Sequence, residues 1–583
     1  MNTTAVDPIT LEVVNNGLAS VADEMALVVM RSAYSAVVRD TMDYSTALCD
    51  RRGEVVAQGL TLAVQLGTFP TLMQYVLEEF DGRTEPGDIF IANDPYGCGG
   101  QHLPDIYIIK PIFFEGALEG YAATMAHHSD VGGITPGSVA VHATEIYQEG
   151  LRMPLLKLYE AGRPNETLLR VIEKNTRQPV HVLGDIRAQV AACRTGERGL
   201  VEILERYGAD EAHRYMDELQ AQAERLMRAE IEALPDGEYH FEDFIDGYGD
   251  PAQPLRINVS MTVSGSDIEI DLTGTAEQVP AGLNCPVGLV RAACYCAVRG
   301  VTGRDIPNAE GYMRPIKVIA PAGTIVNPVL PGACGARGVV GYRLYDALMG
   351  VLAQVVPEKV IAPGEGGPSL FSIGGYVDRK PFVLTEVMVG CWGARATRDG
   401  LEGVSNPLAN LSNQPVELIE ADLPLEVLSY GLVEDSGGPG RYRGGLAFNR
   451  EVKLLADEAV LTIRSDRRHH RPYGLEEGLE GGGSLNVIRG ADGERTLPPM
   501  PMEAVPLVKG DVFSHVSAGG GGFGSPLERD PRAVLEDVLD EKVSAAAARE
   551  HYGVAVTAAG ELDDQATAAL RGAAQRDGRA DAA

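Results

Sequence analysis

Between Ile89 and His127 the chain sets strand-like runs on either side of a glycine-rich loop, and this stretch dictates more of the fold than any other. Ile89-Phe-Ile-Ala reads as a strand. The loop Asn93-Asp-Pro-Tyr-Gly-Cys-Gly-Gly-Gln-His-Leu-Pro-Asp105 follows, then strand-like residues 106–114, a turn at 115–120 and a further strand at 121–126. If the last two strands pair antiparallel, the start of one lies beside the end of the other, which makes Asp105 and His127 neighbours. His102 precedes Asp105 by three residues, and the intervening Leu-Pro bends the chain so that both side chains can reach one spot. Two imidazoles with a carboxylate suit Mn²⁺, Fe²⁺ or Zn²⁺ better than Ca²⁺, which prefers an all-oxygen shell. The same spacing also fits a hydrogen-bonded loop pair, His102 with Asp105, beside ordinary strand-end residues at His127 and His128. Spacing does not choose between the two.

The rest of the chain reads as an α+β, multidomain protein. Asp7 before Pro8 is an N-cap signal, and Val14, Leu18, Val21, Met25 and Val29 recur at helical spacing behind it. Two strands flank the turn Asp50-Arg-Arg-Gly53, and a helix is expected over 70–80. Helical spacing returns between 165 and 234, where the charges of 210–234 form one solvated face. A hairpin of 255–263 and 268–272, helices at 287–298 and 342–356, and a glycine-rich, mostly β stretch from 364 to 524 come next. Asp530-Pro caps a helix near the end. The expected division is an N-terminal α/β part carrying the loops of interest (1–235), a mixed part (236–360), a glycine-rich mostly β part ending in a helix (361–553) and a disordered tail (554–583).

Charge narrows the partners. With 82 acidic against 50 basic residues and a net charge of −32, the surface opposes nucleic acid and anionic membranes. The first residues carry no basic start or apolar core, and no stretch is expected to be apolar for long enough to cross a bilayer, so a cytoplasmic location is expected. The eight cysteines are scattered without C-x-x-C spacing and are expected to be buried thiols.

Several ordered segments resemble the hydantoinase B family. They are Asp40-Thr-Met-Asp-Tyr-Ser-Thr-Ala-Leu-Cys-Asp50, the Asn93 to Asp105 loop, Ala126-His-His-Ser-Asp-Val-Gly-Gly133, Glu145-Ile-Tyr-Gln-Glu-Gly-Leu-Arg-Met-Pro154, Asn175, Gly184-Asp-Ile-Arg-Ala-Gln189, Asp435-Ser-Gly-Gly-Pro-Gly-Arg-Tyr-Arg-Gly-Gly445 and Gly519-Gly-Gly-Gly-Phe-Gly-Ser-Pro526. That family includes the B-type subunits of N-methylhydantoinase and caprolactamase, the C-terminal part of 5-oxoprolinase, and related subunits of acetone and acetophenone carboxylases. The resemblance implies a single metal shell formed by Asp43, His102, Asp105 and His127, holding one divalent transition metal (Mn, Zn or Fe). His128 and Asp130 become candidates for moving a proton or for supporting the shell. Nothing in the spacing brings Asp43 to the hairpin; its place rests on the resemblance.

The resemblance also implies a nucleotide-binding A-type partner, actin-like, that carries ATP-Mg and phosphorylates a small amide or ketone, in a hetero-oligomer with two copies of each subunit. Consistent with that division, the chain has no P-loop: Ser517-Ala-Gly-Gly-Gly-Gly-Phe-Gly-Ser lacks the Gly-Lys-Ser/Thr ending and reads as a tight turn. The expected reaction is opening of a cyclic amide, hydantoin, oxoproline or lactam. A ketone carboxylase and a scaffold with a structural metal are the alternatives, and bicarbonate consumption separates the two enzymes. Two basic groupings remain open between anion binding and internal ion pairing: Arg464, Arg467, Arg468, His469, His470 and Arg471, and the pair Arg441 and Arg443.

Overall fold

The computed structural model describes residues 6–365 and 369–580. Asp7 accepts the N–H of Thr10 and Pro8 occupies the first turn of the helix Pro8–Ser32, where a missing N–H leaves no bond unmade. By length and apolarity that helix would suffice to cross a membrane, a point on which the structure corrects the sequence expectation. Its Leu11, Val14, Leu18, Met25 and Val29 pack instead into a core shared with the helix Pro179–Tyr207.

Those two helices cover one face of a seven-stranded antiparallel sheet. Its strands are β1 (Tyr44–Asp50), β2 (Val55–Gln58), β3 (Ile89–Ala92), β4 (Asp105–Phe114), β5 (Ala117–His127), β6 (Leu156–Glu160) and β7 (Arg163–Pro164), in the order β2-β1-β5-β4-β3-β6-β7. The expected β4–β5 hairpin is present with a tighter turn than 115–120. Phe114 pairs with Ala117, so only Glu115 and Gly116 lie between, with φ of 49° and 87°, and a bulge between Ile112 and Phe113 absorbs the offset. Along β4, Ile106, Ile108 and Ile112 enter the helix-covered core, while Tyr107 and Ile109 enter a second core on the opposite face. Burial on both faces is why this strand reads as an apolar run without polar alternation.

The second core is walled by a four-stranded sheet of β8 (Gly237–Ile245), β9 (Leu255–Ser264), β10 (Asp267–Asp271) and β11 (Ile316–Ile319), and by the helices Thr68–Phe80, Val287–Gly300 and Gly338–Ala353. β9 and β10 form the expected hairpin, and β11 joins β10 in parallel. The glycine-rich stretch supplies β12 (Ser369–Val377), β13 (Lys380–Met388), β14 (Leu425–Leu432), β15 (Phe448–Leu454), β16 (Glu458–Arg464), β17 (Leu485–Gly490), β18 (Gly493–Leu497), β19 (Val505–Val508) and β20 (Val512–Val516). They make two sheets, β13-β12-β16-β19 and β14-β15-β20-β17-β18. Phe371 and Leu461 of the first meet Val452 and Phe513 of the second in a sandwich core.

Glycines 519–522 pack; they do not cradle a ligand. Their N–H groups donate to the carbonyls of Gly482, Gly445, Pro363 and Leu479, and a Cβ at Gly519 or Gly521 would lie 1.8 Å from Ser436 O or 1.9 Å from Tyr473 O. The expectation of a disordered tail from 554 onward is corrected as far as residue 580. Val554 and Tyr552 are buried with Val534, Leu562 packs against them, and the helix Asp564–Ala580 follows. This part therefore ends in three helices, with Pro531–Leu539 and Ala545–Tyr552 before it. Residues 581–583 lie outside the described residues. All eight cysteines are free, and all but Cys296 are buried.

Candidate metal centre

Three strand ends meet at one point. Asp105 opens β4 and His127 closes β5, and as register partners their side chains share a face of the sheet. β1 begins one residue after Asp43, and the His127 N–H donates to the Asp43 carbonyl at 2.9 Å, prolonging the β1–β5 ladder. His102 joins by a backbone turn: the Asp105 N–H donates to its carbonyl at 3.1 Å, and its Nε2 pairs with Asp105 Oδ1 at 3.1 Å. Among the described residues, His102, Asp105 and His127 form a group whose ligand atoms all lie within 4.8 Å of one another. Asp43 lines the adjoining cavity with His127 and interacts electrostatically with Asp105, but is outside that close group.

The helix Pro179–Tyr207 holds this arrangement from behind. Asp185 accepts the N–H groups of Tyr34 and Ser35, fixing the turn that leads to Asp43. One helical turn later, Gln189 donates to the Ile106 carbonyl at 2.9 Å and meets His128 Nε2 through its Oε1 at 3.1 Å. The segment 184–189 singled out in the sequence thus ties two parts of the centre to one rigid element.

Burial and charge set the protonation of these side chains. Burial alone would raise the Asp105 carboxyl, but the guanidinium of Arg337, ion-paired with it, and His102 carry it well below the usual carboxylate range. Burial, aided by Arg337, lowers His102 to about 4, and burial with the neighbouring His102 takes His127 well below its ordinary value. Both imidazoles are therefore neutral near pH 7, the form that coordinates metal. Their Nδ1 atoms are buried without a hydrogen-bond partner, a deficit of about 1–3 kcal/mol each that a bound ion could relieve. Two neutral imidazoles and an anionic carboxylate fit a divalent transition metal. The Asp43 carboxyl is pushed up to about 7 by burial and by Asp105, against the pull of Arg337 and Arg464.

The centre opens on a narrow cavity of about 30 Å³, close to the share of one water in the liquid. Leu62, Val64, Leu289, Leu370, Val387 and Leu411 make its walls apolar, and Gln101, Arg337, Tyr342 and Arg464 add the polar groups the sequence reading had not assigned to it. Arg337 donates to Gln101 Oε1 as well as to Asp105. No local pattern marks Arg337, because it meets Asp105 across 232 residues of chain.

The cavity wall includes neither His128 nor Asp130. His128 is occupied by Gln189, and its N–H donates to the Pro104 carbonyl. The Asp130 carboxylate accepts the N–H groups of Gly132, Gly137 and Arg177 and pairs with the Arg177 guanidinium at 2.9 Å. It ties the 130–138 loop together.

Most of the basic groupings prove to be internal. Arg467 pairs with Asp346 and Asp243, Asp246 accepts from the backbone of Arg468, His469 and His470, and Arg471 meets Glu480. Arg443 pairs with Glu402 and Asp537, and Arg441 approaches Glu528 at 3.9 Å. Arg464 is the exception, since it reaches the cavity.

Comparison with known proteins gives a consistent picture. The family model described as hydantoinase B/oxoprolinase matches residues 7–526. The chain is 37% identical to a putative D-/L-hydantoinase B-type subunit of Pseudomonas sp. (strain NS671), over 97% of this chain and 98% of that one. It is 32% identical to the caprolactamase β-subunit of Pseudomonas jessenii, over 98% and 100%. The crystal structure of the ATP-dependent caprolactamase from Pseudomonas jessenii superposes with a TM-score of 0.90 at 30% identity, over 98% of this chain and 100% of that chain. A nucleotide-free acetone carboxylase structure shares the fold, with a TM-score of 0.91 at 20% identity, over 98% of this chain and 84% of that one.

Proposed function

This chain belongs to the hydantoinase B/oxoprolinase family, and we propose that it is the metal-binding subunit of an ATP-dependent enzyme that opens a cyclic amide. A separate nucleotide-binding A-type subunit would carry ATP-Mg and phosphorylate the amide oxygen, and this chain would complete the hydrolysis. The observation that carries the reading is the convergence of His102, Asp105 and His127 beside a cavity that His127 and Asp43 line, with the Nδ1 atoms of both imidazoles buried and unpartnered.

In this reading those four residues hold one Mn, Zn or Fe ion. When bound, the ion supplies Lewis acidity and lowers the pKa of water. Arg337 keeps Asp105 anionic and fixes its orientation. The apolar wall of Leu62, Leu289 and Leu370 limits bulk water and would meet the hydrocarbon part of the ring once the cavity, about 30 Å³ here, widens to admit it. His128 and Asp130 act by position, through the strand end and the 130–138 loop.

Reconstitution with an A-type subunit tests the proposal. ADP formation coupled to ring opening of hydantoin, oxoproline or caprolactam is the expected result. Stoichiometric use of bicarbonate with a ketone would replace it with the carboxylase reading. Activity that survives complete removal of the metal would leave a scaffold role.

A further inference from the structure

Arg464 ends β16 and is 6% exposed, yet among the described residues it meets no carboxylate within ion-pair distance. Its Nη1 donates to the Gly335 carbonyl at 3.3 Å and its Nε has no partner. The other guanidinium of the cavity, Arg337, is already committed to Asp105 and Gln101. Glu365, a buried carboxyl that also senses Arg464, has one oxygen taken by the Ser369 N–H, and burial pushes it up to about 8, so it carries little charge near pH 7.

The same guanidinium lies against a helix start. A Cβ built on Gly338 would be 3.5 Å from Arg464 Nη2, and Gly338 opens the helix Gly338–Ala353, whose N-terminus has no side-chain cap. The helix start has no side-chain cap, although the Val339 N–H donates to the Ala336 carbonyl, and the guanidinium has no carboxylate partner, so two independent sources favour an anion here. Formal charge agrees. With both carboxylates ionised, as a bound cation would favour, Arg337 and Arg464 balance Asp43 and Asp105, and a divalent ion would leave two positive charges, the complement of a phosphoryl dianion.

We propose that Arg464, with the N-terminus of the helix Gly338–Ala353, forms the subsite that receives the phosphoryl group of the activated substrate. This rests on the reading of the site as one that accepts a phosphorylated intermediate. It adds to that reading a named residue and a ligand chemistry. The planar fork of arginine suits two phosphoryl oxygens at once, which lysine cannot match.

The test uses the full-length, Zn-loaded chain without a partner subunit or ATP, so it does not depend on ring-opening activity. Inorganic phosphate is titrated calorimetrically into the wild type, Arg464→Gln, Arg464→Lys and the surface control Arg471→Gln, with metal content and circular dichroism measured on each. The expected result is phosphate binding weakened about 10- to 100-fold in Arg464→Gln and by a smaller factor in Arg464→Lys, with Arg471→Gln like the wild type. If Arg464→Gln does not fold, Arg464→Lys decides by the same criterion. A folded, metal-loaded Arg464 variant that binds phosphate as the wild type does, or a metal-loaded wild type that binds none, overturns the assignment. Neither outcome alters the metal shell, whose own test is metal content.

Discussion

Arg337 and Asp105 stand 232 residues apart in the chain and meet as a buried ion pair beside two neutral imidazoles. The pair gives the centre a carboxylate that stays charged without water, at the cost of making each partner depend on the other.

That dependence is measurable. Arg337→Met removes the cation and leaves Asp105 buried with only the His102 imidazole as a side-chain partner, so the metal-free chain is expected to lose about 3 kcal/mol. Zinc should recover much of the loss, because a bound cation again compensates the carboxylate. Urea unfolding with and without Zn²⁺ checks it; an equal loss in both conditions would mean that the ion does not reach Asp105.

Metal content is expected to divide three of the candidate ligands, His102 and Asp105 from Asp43. His102→Ala and Asp105→Ala should reduce the metal from about one ion per chain to near none, and metal resupply should raise the unfolding temperature of the wild type only. Asp43→Asn, at a residue beside the close group, should weaken binding by about 10- to 100-fold while leaving the site loadable. Elemental analysis after dialysis against graded metal concentrations measures both effects. Full loading of His102→Ala at low metal would remove His102 from the shell.

For Asp130 the expected effect is on stability. Asp130→Asn loses the ion pair with the partly exposed Arg177 and weakens the 130–138 loop, which should cost about 2 kcal/mol after allowance for solvent screening. Metal content should be unchanged. Thermal unfolding beside turnover separates the roles: lost turnover with an unchanged unfolding temperature would return Asp130 to the chemistry.

Glu149 predicts a pH dependence away from the ligands. Its Oε1 accepts the N–H groups of Cys334 and Gly335, its Oε2 has no partner, and burial raises its carboxyl to about 8 from an ordinary 4.5. A group with a raised folded pKa contributes fully below the unfolded value, and that contribution is lost as the pH climbs to the folded one. Wild-type stability should therefore fall relative to Glu149→Gln between pH 4.5 and 8, because glutamine keeps the acceptor and never ionises. Parallel stability curves across that window would refute it.

The sequence was most informative where structure is local. The capped first helix, the β4–β5 hairpin and the meeting of Asp105 with His127 follow from a capping residue, a short turn and a side-chain period of two, each fixed within a few residues. Local reading failed in the tail. There, alanine and arginine suggested disorder, but Val554 is buried with Val534 of a preceding helix and Leu562 packs against them. It also left the 464–471 group undecided, since ion pairing depends on the distant Asp243, Asp246 and Asp346.

By itself, then, the sequence determined an α+β chain with two histidines and an aspartate brought together by one hairpin and its loop, because hydrogen-bond register between neighbouring strands is set by the residues that form them. The resemblance added Asp43, and the fold places it at the adjoining strand end. Only the tertiary structure decided what surrounds them. Arg337 comes from a helix start and Arg464 from the end of a strand in another sheet. No periodicity links such positions, and they meet because packed cores fix the relative placement of sheets and helices that the local sequence leaves free.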